Sequence, residues 1–294
     1  MPYLELSLDL GGLDPDVVEA ACFATGALSV TLSDGADTPI LEPKPGTTPL
    51  WPAVRLAALY AADTDQAQLT DALEGELGDR MPRPEYRAIE DRVWEREWLK
   101  DFHPQRHGRR LWICPGGQPP PADAVDPVIV WLDPGLAFGT GTHATTALCL
   151  EWLDEVPLAG TRLFDVGSGS GILAIAALQL GCAQAVAMDI DPQALIASRE
   201  NAERNGVADR LIVQPAEDPW GEGYDIVVAN ILAEPLIELA PDIARVTRPG
   251  GRLVLSGLLA AQAEVVAAAY APFFAIEPVR ERGDWAALAG QRRH

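Results

Sequence analysis

The chain has 294 residues, 48% of them apolar and 22% charged, which is enough for two domains at about 100 to 200 residues each. No stretch reaches the roughly 18 apolar residues of a membrane helix, and the start MPYLELSLDL reads as a strand rather than a basic leader, so no membrane span is expected and a cytoplasmic location is. Forty-three Asp and Glu against 22 Lys and Arg give a formal charge of -21, which speaks against direct DNA binding and suits a basic protein partner, although such acidity equally serves solubility.

In chain order, YLELSLDL, a helix from about Asp14 to Thr25, ALSVTLSD, VRLAALYAA, a helix from about Asp65 to Leu77 and EYRAIE follow one another. This βαββαβ order predicts a small ferredoxin-like α+β domain over residues 1–90, a fold that by itself names no function. Five prolines between residues 37 and 52 mark an irregular loop inside it. Next, Trp94, Trp98 and Phe102 stand four residues apart in DRVWEREWLKDFHP, a spacing that predicts a helical linker over 91–110 with its aromatics on one face. His103 and His107 share that spacing, but Pro104 and Gly108 interrupt the helix and no third ligand completes a metal site. The four cysteines are scattered without a CxxC pair and read as buried reduced thiols, so no metal is expected.

From Val128 the pattern turns to strand, glycine turn and helix, repeated: VIVWL, then LDPGLAFGTGTHATT and a helix to about Leu153, then TRLFDVGSGSGILAIAALQLG, then AQAVAMDIDPQALIASRENAERNG. DIVVANIL, a helix from about Pro235 to Val246, RLVLSGLL, a helix across AQAEVVAAAY and two terminal strands around FAIEPVRER and WAALAG complete it. The prediction is an α/β domain over 111–294 with a Rossmann-like, mostly parallel, seven-stranded sheet closed by a hairpin.

Two glycine motifs compete for a cofactor. Phe164 to Gly171 read FDVGSGSG between an apolar strand and an apolar helix, the setting in which glycines let a backbone approach a nucleotide. The dinucleotide fingerprint is incomplete, because Ile172 stands where its last small residue belongs and Asp165 would face a pyrophosphate. S-adenosylmethionine has no phosphate and carries a sulfonium, so it tolerates an acid there. Asp189 ends the next strand 22 residues after Gly167, where a carboxylate grips both hydroxyls of an adenosine ribose. The second motif, Gly139 to Ala144, formally fits GxGxxA but has no following acidic strand and no lysine for a phosphate loop.

Together LDPGLAFGTGTHATT, FDVGSGSGILAIAA, MDIDPQAL and VVANILAEPL resemble the PrmA family, the ribosomal protein L11 methyltransferases, over nearly the whole chain. The resemblance implies a class I, Rossmann-like, S-adenosylmethionine-dependent protein-lysine N-methyltransferase. Such an enzyme methylates lysine side chains and the N-terminal amine of ribosomal protein L11, its partner, taken as free protein before ribosome assembly. It also implies a substrate-recognition role for the small domain and cofactor contacts from Thr146, Gly167, Asp189 and Asn230. Ala144 departs from the family, where proline commonly follows the histidine, a change expected to alter loop stiffness rather than chemistry.

Transfer to an amine asks for an in-line approach at roughly 3 Å. Asn230, at the end of a central strand, is placed to accept hydrogen bonds from the amine and orient its lone pair without a dedicated base. His143 at a helix start reads as a loop-ordering residue, Phe138 as an apolar wall, and the opening stretch as a lid. The same cofactor motifs admit a class I methyltransferase acting on RNA or a small molecule, a nicotinamide oxidoreductase, or a non-catalytic binding module.

Overall fold

The computed structural model describes residues 2–36, 38, 49–89, 103–132 and 141–294. The chain divides into two compact units, Met1–Trp94 and Glu95–His294.

The first unit runs β1 (Tyr3–Asp9), helix Pro15–Ala24, β2 (Ser29–Asp34), β3 (Val54–Ala61), helix Gln66–Leu77 and β4 (Glu85–Ile89). Its sheet has the order β2-β3-β1-β4 with every pairing antiparallel, the ferredoxin-like arrangement expected from the element order. Alternation creates the core: Leu4, Leu6 and Leu8 are buried while Glu5 and Ser7 between them are not. Both helices begin on an aspartate. Asp14 accepts the Asp16 N–H at 3.1 Å, and Asp65 accepts those of Ala67 and Gln68 at 2.9 and 3.0 Å, satisfying amides the first turn leaves unpaired.

In the second unit β5 (Gln105–His107), β6 (Leu111–Cys114) and β7 (Val128–Trp131) form a small sheet of their own. Two expectations change here. Residues 105–107, within the stretch expected to be a helical linker, are a strand; Trp94, Trp98 and Phe102 lie outside the described residues. VIVW, expected to open the large sheet, pairs in parallel with β6 instead. Its outer edge is closed by Asn205, whose amide donates to the Trp131 carbonyl at 2.8 Å and accepts the Trp131 N–H at 2.7 Å. A side-chain amide thus replaces the neighbouring strand that an apolar run alone suggests.

The large sheet comprises β8 (Arg162–Val166), β9 (Gln184–Asp189), β10 (Leu211–Pro215), β11 (Tyr224–Asn230), β12 (Thr247–Leu259), β13 (Phe274–Ile276), β14 (Arg280–Arg282) and β15 (Trp285–Arg292). Seven strands follow the order β10-β9-β8-β11-β12-β15-β13, and β14 adds an eighth against β15. Pairings from β10 to β12 are parallel, and those made by β15 are antiparallel. Both faces are covered. Leu163, Ile226 and Val228 pack with helices Ala144–Glu155 and Ile172–Gln179, while Phe164, Val227 and Ala229 pack with the helices after β11 and β12. Alternate residues of β8 and β11 therefore serve two cores, which is why both strands read as unbroken apolar runs.

The helix expected over Pro235 to Val246 is two, Ala233–Glu238 and Ala240–Val246. Pro241 has no N–H to continue the ladder and its ring crowds the carbonyl four residues earlier, so the helix must restart. The strand expected around FAIEPVRER likewise splits at Pro278 into β13 and β14.

Candidate active site

Chain order runs outward from β8 to β9 and β10, then crosses back to β11, so the direction of winding reverses between β8 and β11. Ligands of open α/β sheets sit beyond the carboxyl ends of the strands at such a point. A cavity of about 460 Å³ lies there, lined among others by Thr146, Gly167, Gly169, Asp189 and Asn230. The four residues that the sequence comparison of motifs singled out, Thr146, Gly167, Asp189 and Asn230, thus come together in one space from four separate segments.

The turn after β8 is built to be close to its neighbours. Gly167, Gly169 and Gly171 have φ of 75°, 53° and 78°, a region where glycine alone is unstrained. A Cβ on Gly167 would overlap Cγ2 of Ile231. The amides of the turn are consumed within the protein. Gly167 and Ser168 donate to the Met188 carbonyl at 2.8 and 3.0 Å, Gly169 to Asp189 Oδ2 at 2.8 Å and Gly171 to the Ser168 carbonyl at 2.8 Å. Its carbonyls are held too, with Ser198 Oγ donating to Gly169 at 3.0 Å and Asn201 Nδ2 to Ser170 at 2.9 Å. A phosphate-binding turn keeps its N–H groups free for the ligand. Here those of residues 167, 168, 169 and 171 are already spent.

Asp189 ends β9 with both carboxylate oxygens engaged, Oδ2 by the Gly169 N–H and Oδ1 by the Asp191 N–H at 3.0 Å. These bonds fix the carboxylate and leave each oxygen a further lone pair toward the cavity. Asp165, placed by sequence reasoning at the cofactor turn, is instead wholly buried beneath it. Its Oδ2 accepts the Ala174 N–H at 3.2 Å, in the first turn of helix Ile172–Gln179, whose cap residue Gly171 has no side chain to do so. The acid serves the helix amino end. Burial nonetheless outweighs that bond and pushes its carboxyl up to about 7, with the charge of Asp189 adding to the rise.

Asn230, the last residue of β11, donates from Nδ2 to Thr146 Oγ1 at 3.2 Å. Its Oδ1 is buried and accepts no hydrogen bond among the described residues. A buried carbonyl oxygen without a donor is costly, and this one belongs to a residue that lines the cavity. Thr146, fully buried, is carried by the Ala144–Glu155 helix. His143 caps that helix: Nδ1 accepts the Thr145 N–H at 3.4 Å and lies 2.7 Å from the Thr145 hydroxyl, and the ring packs edge-on to Trp285 with centroids 4.7 Å apart. The loop-ordering reading of His143 fits this geometry. Phe138 and the rest of 133–140 lie outside the described residues.

His107 lies apart from the cavity residues. It is buried beside Glu151 and Arg282, and burial pulls its imidazole down to about 4. All four cysteines are free and buried, and no group of three potential metal ligands occurs among the described residues. Sequence reasoning missed the apolar part of the cavity, Ile190, Trp220, Ile231 and Leu239, which sits in loops and short helices where periodicity carries no signal.

Comparison with known proteins agrees with this geometry. The family model for ribosomal protein L11 methyltransferase (PrmA) matches residues 2–293. The ribosomal protein L11 methyltransferase of Pectobacterium carotovorum subsp. carotovorum is 51% identical over 298 residues, covering 100% of this chain and 99% of the relative. That of Serratia proteamaculans is 51% identical over 297 residues and the whole of both chains. A crystal structure of ribosomal protein L11 methylase from Lactobacillus delbrueckii subsp. bulgaricus superposes with a TM-score of 0.59 at 36% identity, covering 66% of this chain and 100% of that one. With a match that leaves out only the two terminal residues, and a doubly wound sheet whose strand ends hold the cavity, the chain belongs to the family of ribosomal protein L11 methyltransferases.

Proposed function

We propose that this chain transfers methyl groups from S-adenosylmethionine to lysine side-chain amines and the N-terminal amine of ribosomal protein L11, free in the cytoplasm before ribosome assembly. The observation that carries this reading is the buried, unpartnered Oδ1 of Asn230 in a wall of the same cavity as Asp189 and the glycine turn. The names of the full-length relatives supply L11 as the substrate, and a formal charge of -21 suits a basic ribosomal protein better than an RNA backbone.

The residues present fit the cofactor. A cavity of about 460 Å³ is of the size that holds a small-molecule ligand, the spent amides of the turn suit an adenosine without phosphates, and the Asp189 carboxylate has lone pairs left for two ribose hydroxyls. When bound, S-adenosylmethionine supplies an electrophilic methyl on a sulfonium. The protein's task is then to present a neutral amine in line with it. A lysine of ordinary pKa near 10.4 costs about 4 kcal/mol to neutralise at pH 7.4. Val166, Ile172, Leu173, Met188 and Ile231 line the cavity and disfavour an ammonium there, so the proton leaves to water as the amine enters. Among the described lining residues Asp189 is the one ionisable side chain, and it is tied to two backbone amides, so no dedicated base is needed or offered. Asn230 Oδ1 accepts an N–H of the amine and turns its lone pair toward the methyl, while Thr146 holds the other end of the amide.

Incubating purified L11 with the enzyme and S-adenosylmethionine, followed by intact-mass and peptide mass spectrometry, is expected to show mass gains in multiples of a methyl group on lysines and on the N-terminus. No gain under conditions where the cofactor binds defeats the assignment.

A further inference from the structure

Gly257 lies near the carboxyl end of β12, where the register against β15 shifts between Leu255 and Leu258, and has φ of 85°. A Cβ built on it would overlap the Ile231 carbonyl oxygen and lie 2.7 and 2.8 Å from the Ile231 carbonyl carbon and nitrogen. All three are backbone atoms, which cannot swing aside as a side chain does. On the same stretch the Ile231 N–H donates to the Ser256 carbonyl at 3.2 Å, and Asn230 faces Ser256 in the β11–β12 register. From the other side the Ile231 side chain fills the space over Gly167. The peptide that follows Asn230 is therefore seated between two glycines, one in the cofactor turn and one in β12.

We propose that Gly257 is a positioning residue for methyl transfer: by lacking a Cβ it lets the Asn230–Ile231 peptide dock against β12 and so fixes where the Asn230 amide stands. This rests on the role of Asn230 given above. Placing any side chain at 257 drives the Ile231 backbone away by a distance of about 1 Å, the difference between the built contacts and ordinary van der Waals separation. A misplacement of that size in a reacting geometry lowers turnover about a hundredfold. The ribose end is spared, because Asp189 takes its bonds from Gly169 and Asp191 rather than from β12.

The test compares Gly257→Ala with Gly206→Ala, a glycine at φ 65° whose added Cβ meets nothing within 4 Å, so that the second variant carries the backbone strain without the collision. Gly257→Ala is expected to bind S-adenosylhomocysteine within about fivefold of the parent and to leave KM for L11 within about threefold, while kcat falls about a hundredfold and that of Gly206→Ala holds. A kcat within about threefold of Gly206→Ala overturns the proposal, and so does a loss of kcat matched by an equal loss of cofactor affinity. Should Gly257→Ala give no cooperative melt, Ser256→Ala loosens the same point without adding bulk, because Ser256 Oγ ties β12 to the Ala286 carbonyl at 2.8 Å. That variant is expected to lose about tenfold in kcat with cofactor affinity kept, and full kcat overturns the proposal. Asn230→Ala separates the two ideas: full turnover there removes the role of Asn230 and this inference with it, whereas a slow Asn230→Ala beside an active Gly257→Ala removes this inference alone.

Discussion

Asp189 and Asn230 stand at the ends of strands β9 and β11, on either side of β8, so about two strand spacings or roughly 10 Å separate their backbones. They line one cavity and are prepared in opposite ways. Asp189 accepts one backbone N–H on each oxygen, which fixes its carboxylate and leaves lone pairs unused. Asn230 is tied at one end only, its oxygen buried without a donor. Under the proposed function the first is a binding contact, equal in resting and reacting states, and the second keeps its hydrogen bond for the amine that arrives later, the kind of contact that favours the reaction over the ground state.

The contrast is sharpest in kinetics. Asn230→Ala is expected to reduce kcat by about a hundredfold or more, in proportion to the loss of an orienting contact, with KM for L11 changed little. Single-turnover assays at saturating cofactor read this directly, and an unchanged kcat removes the distinction. Asp189→Ala is expected to act on the other side of the ledger, weakening S-adenosylmethionine binding by about a hundredfold or more, as two hydrogen bonds to a charged acceptor are lost. Titration calorimetry measures it. Affinity equal to the parent's takes Asp189 away from the ribose.

The difference between the two residues also separates what the sequence carries from what it does not. That Gly167, Asp189 and Asn230 share one cavity was legible because each lies at or just past the end of an apolar strand, a local pattern that one sequence displays. The β8–β9 turn and the ferredoxin-like order were legible for the same reason. Gly257 was not. Its meaning comes from Ile231, some two dozen residues away, and a lone glycine in a strand signals close approach without saying of what. VIVW was misplaced because an apolar run does not name its partner, and here the partner's place is taken by the side chain of Asn205. Asp165 was expected to face the bound nucleotide at the glycine turn, yet its carboxyl reaches down to Ala174.

Asp165 offers a test of how the floor of the site is built. In the fold its carboxyl stays protonated up to about 7, whereas in the unfolded chain it ionises near 3.9. Between those values the folded protein holds a proton that the unfolded chain has released, so stability falls as pH rises from about 4 to 7 and levels above. Asp165→Asn keeps an acceptor for the Ala174 N–H and removes the titration. Its melting temperature relative to the parent is expected to climb by a few degrees between pH 5 and 8, as an effect of the order of 1 kcal/mol or more produces in a domain of this size. His107 works in the opposite sense: its imidazole, held down to about 4, makes stability fall as pH drops from about 6.5 to 4. His107 is present in both proteins, so its slope cancels in their difference, and a difference that stays constant between pH 5 and 7 shows that Asp165 is ionised in the fold.

The smallest effect concerns the support of Asn230 from the helix side. Thr146 reaches the Asn230 amide from the first turn of the Ala144–Glu155 helix, and that turn is ordered by the imidazole of His143 and braced by Trp285. Proline is absent at 144, so the cap carries more of the ordering than it would beside a rigid residue. His143→Ala removes the acceptor and the ring contact and is expected to cost about 1 kcal/mol in denaturant unfolding. His143→Asn restores a capping oxygen without an imidazole and is expected to recover most of that loss. Since the role is to hold a helix end rather than to move a proton, the pH dependence of kcat in His143→Asn is expected to keep the parent's shape, and the disappearance of a limb of that profile assigns His143 to proton transfer instead.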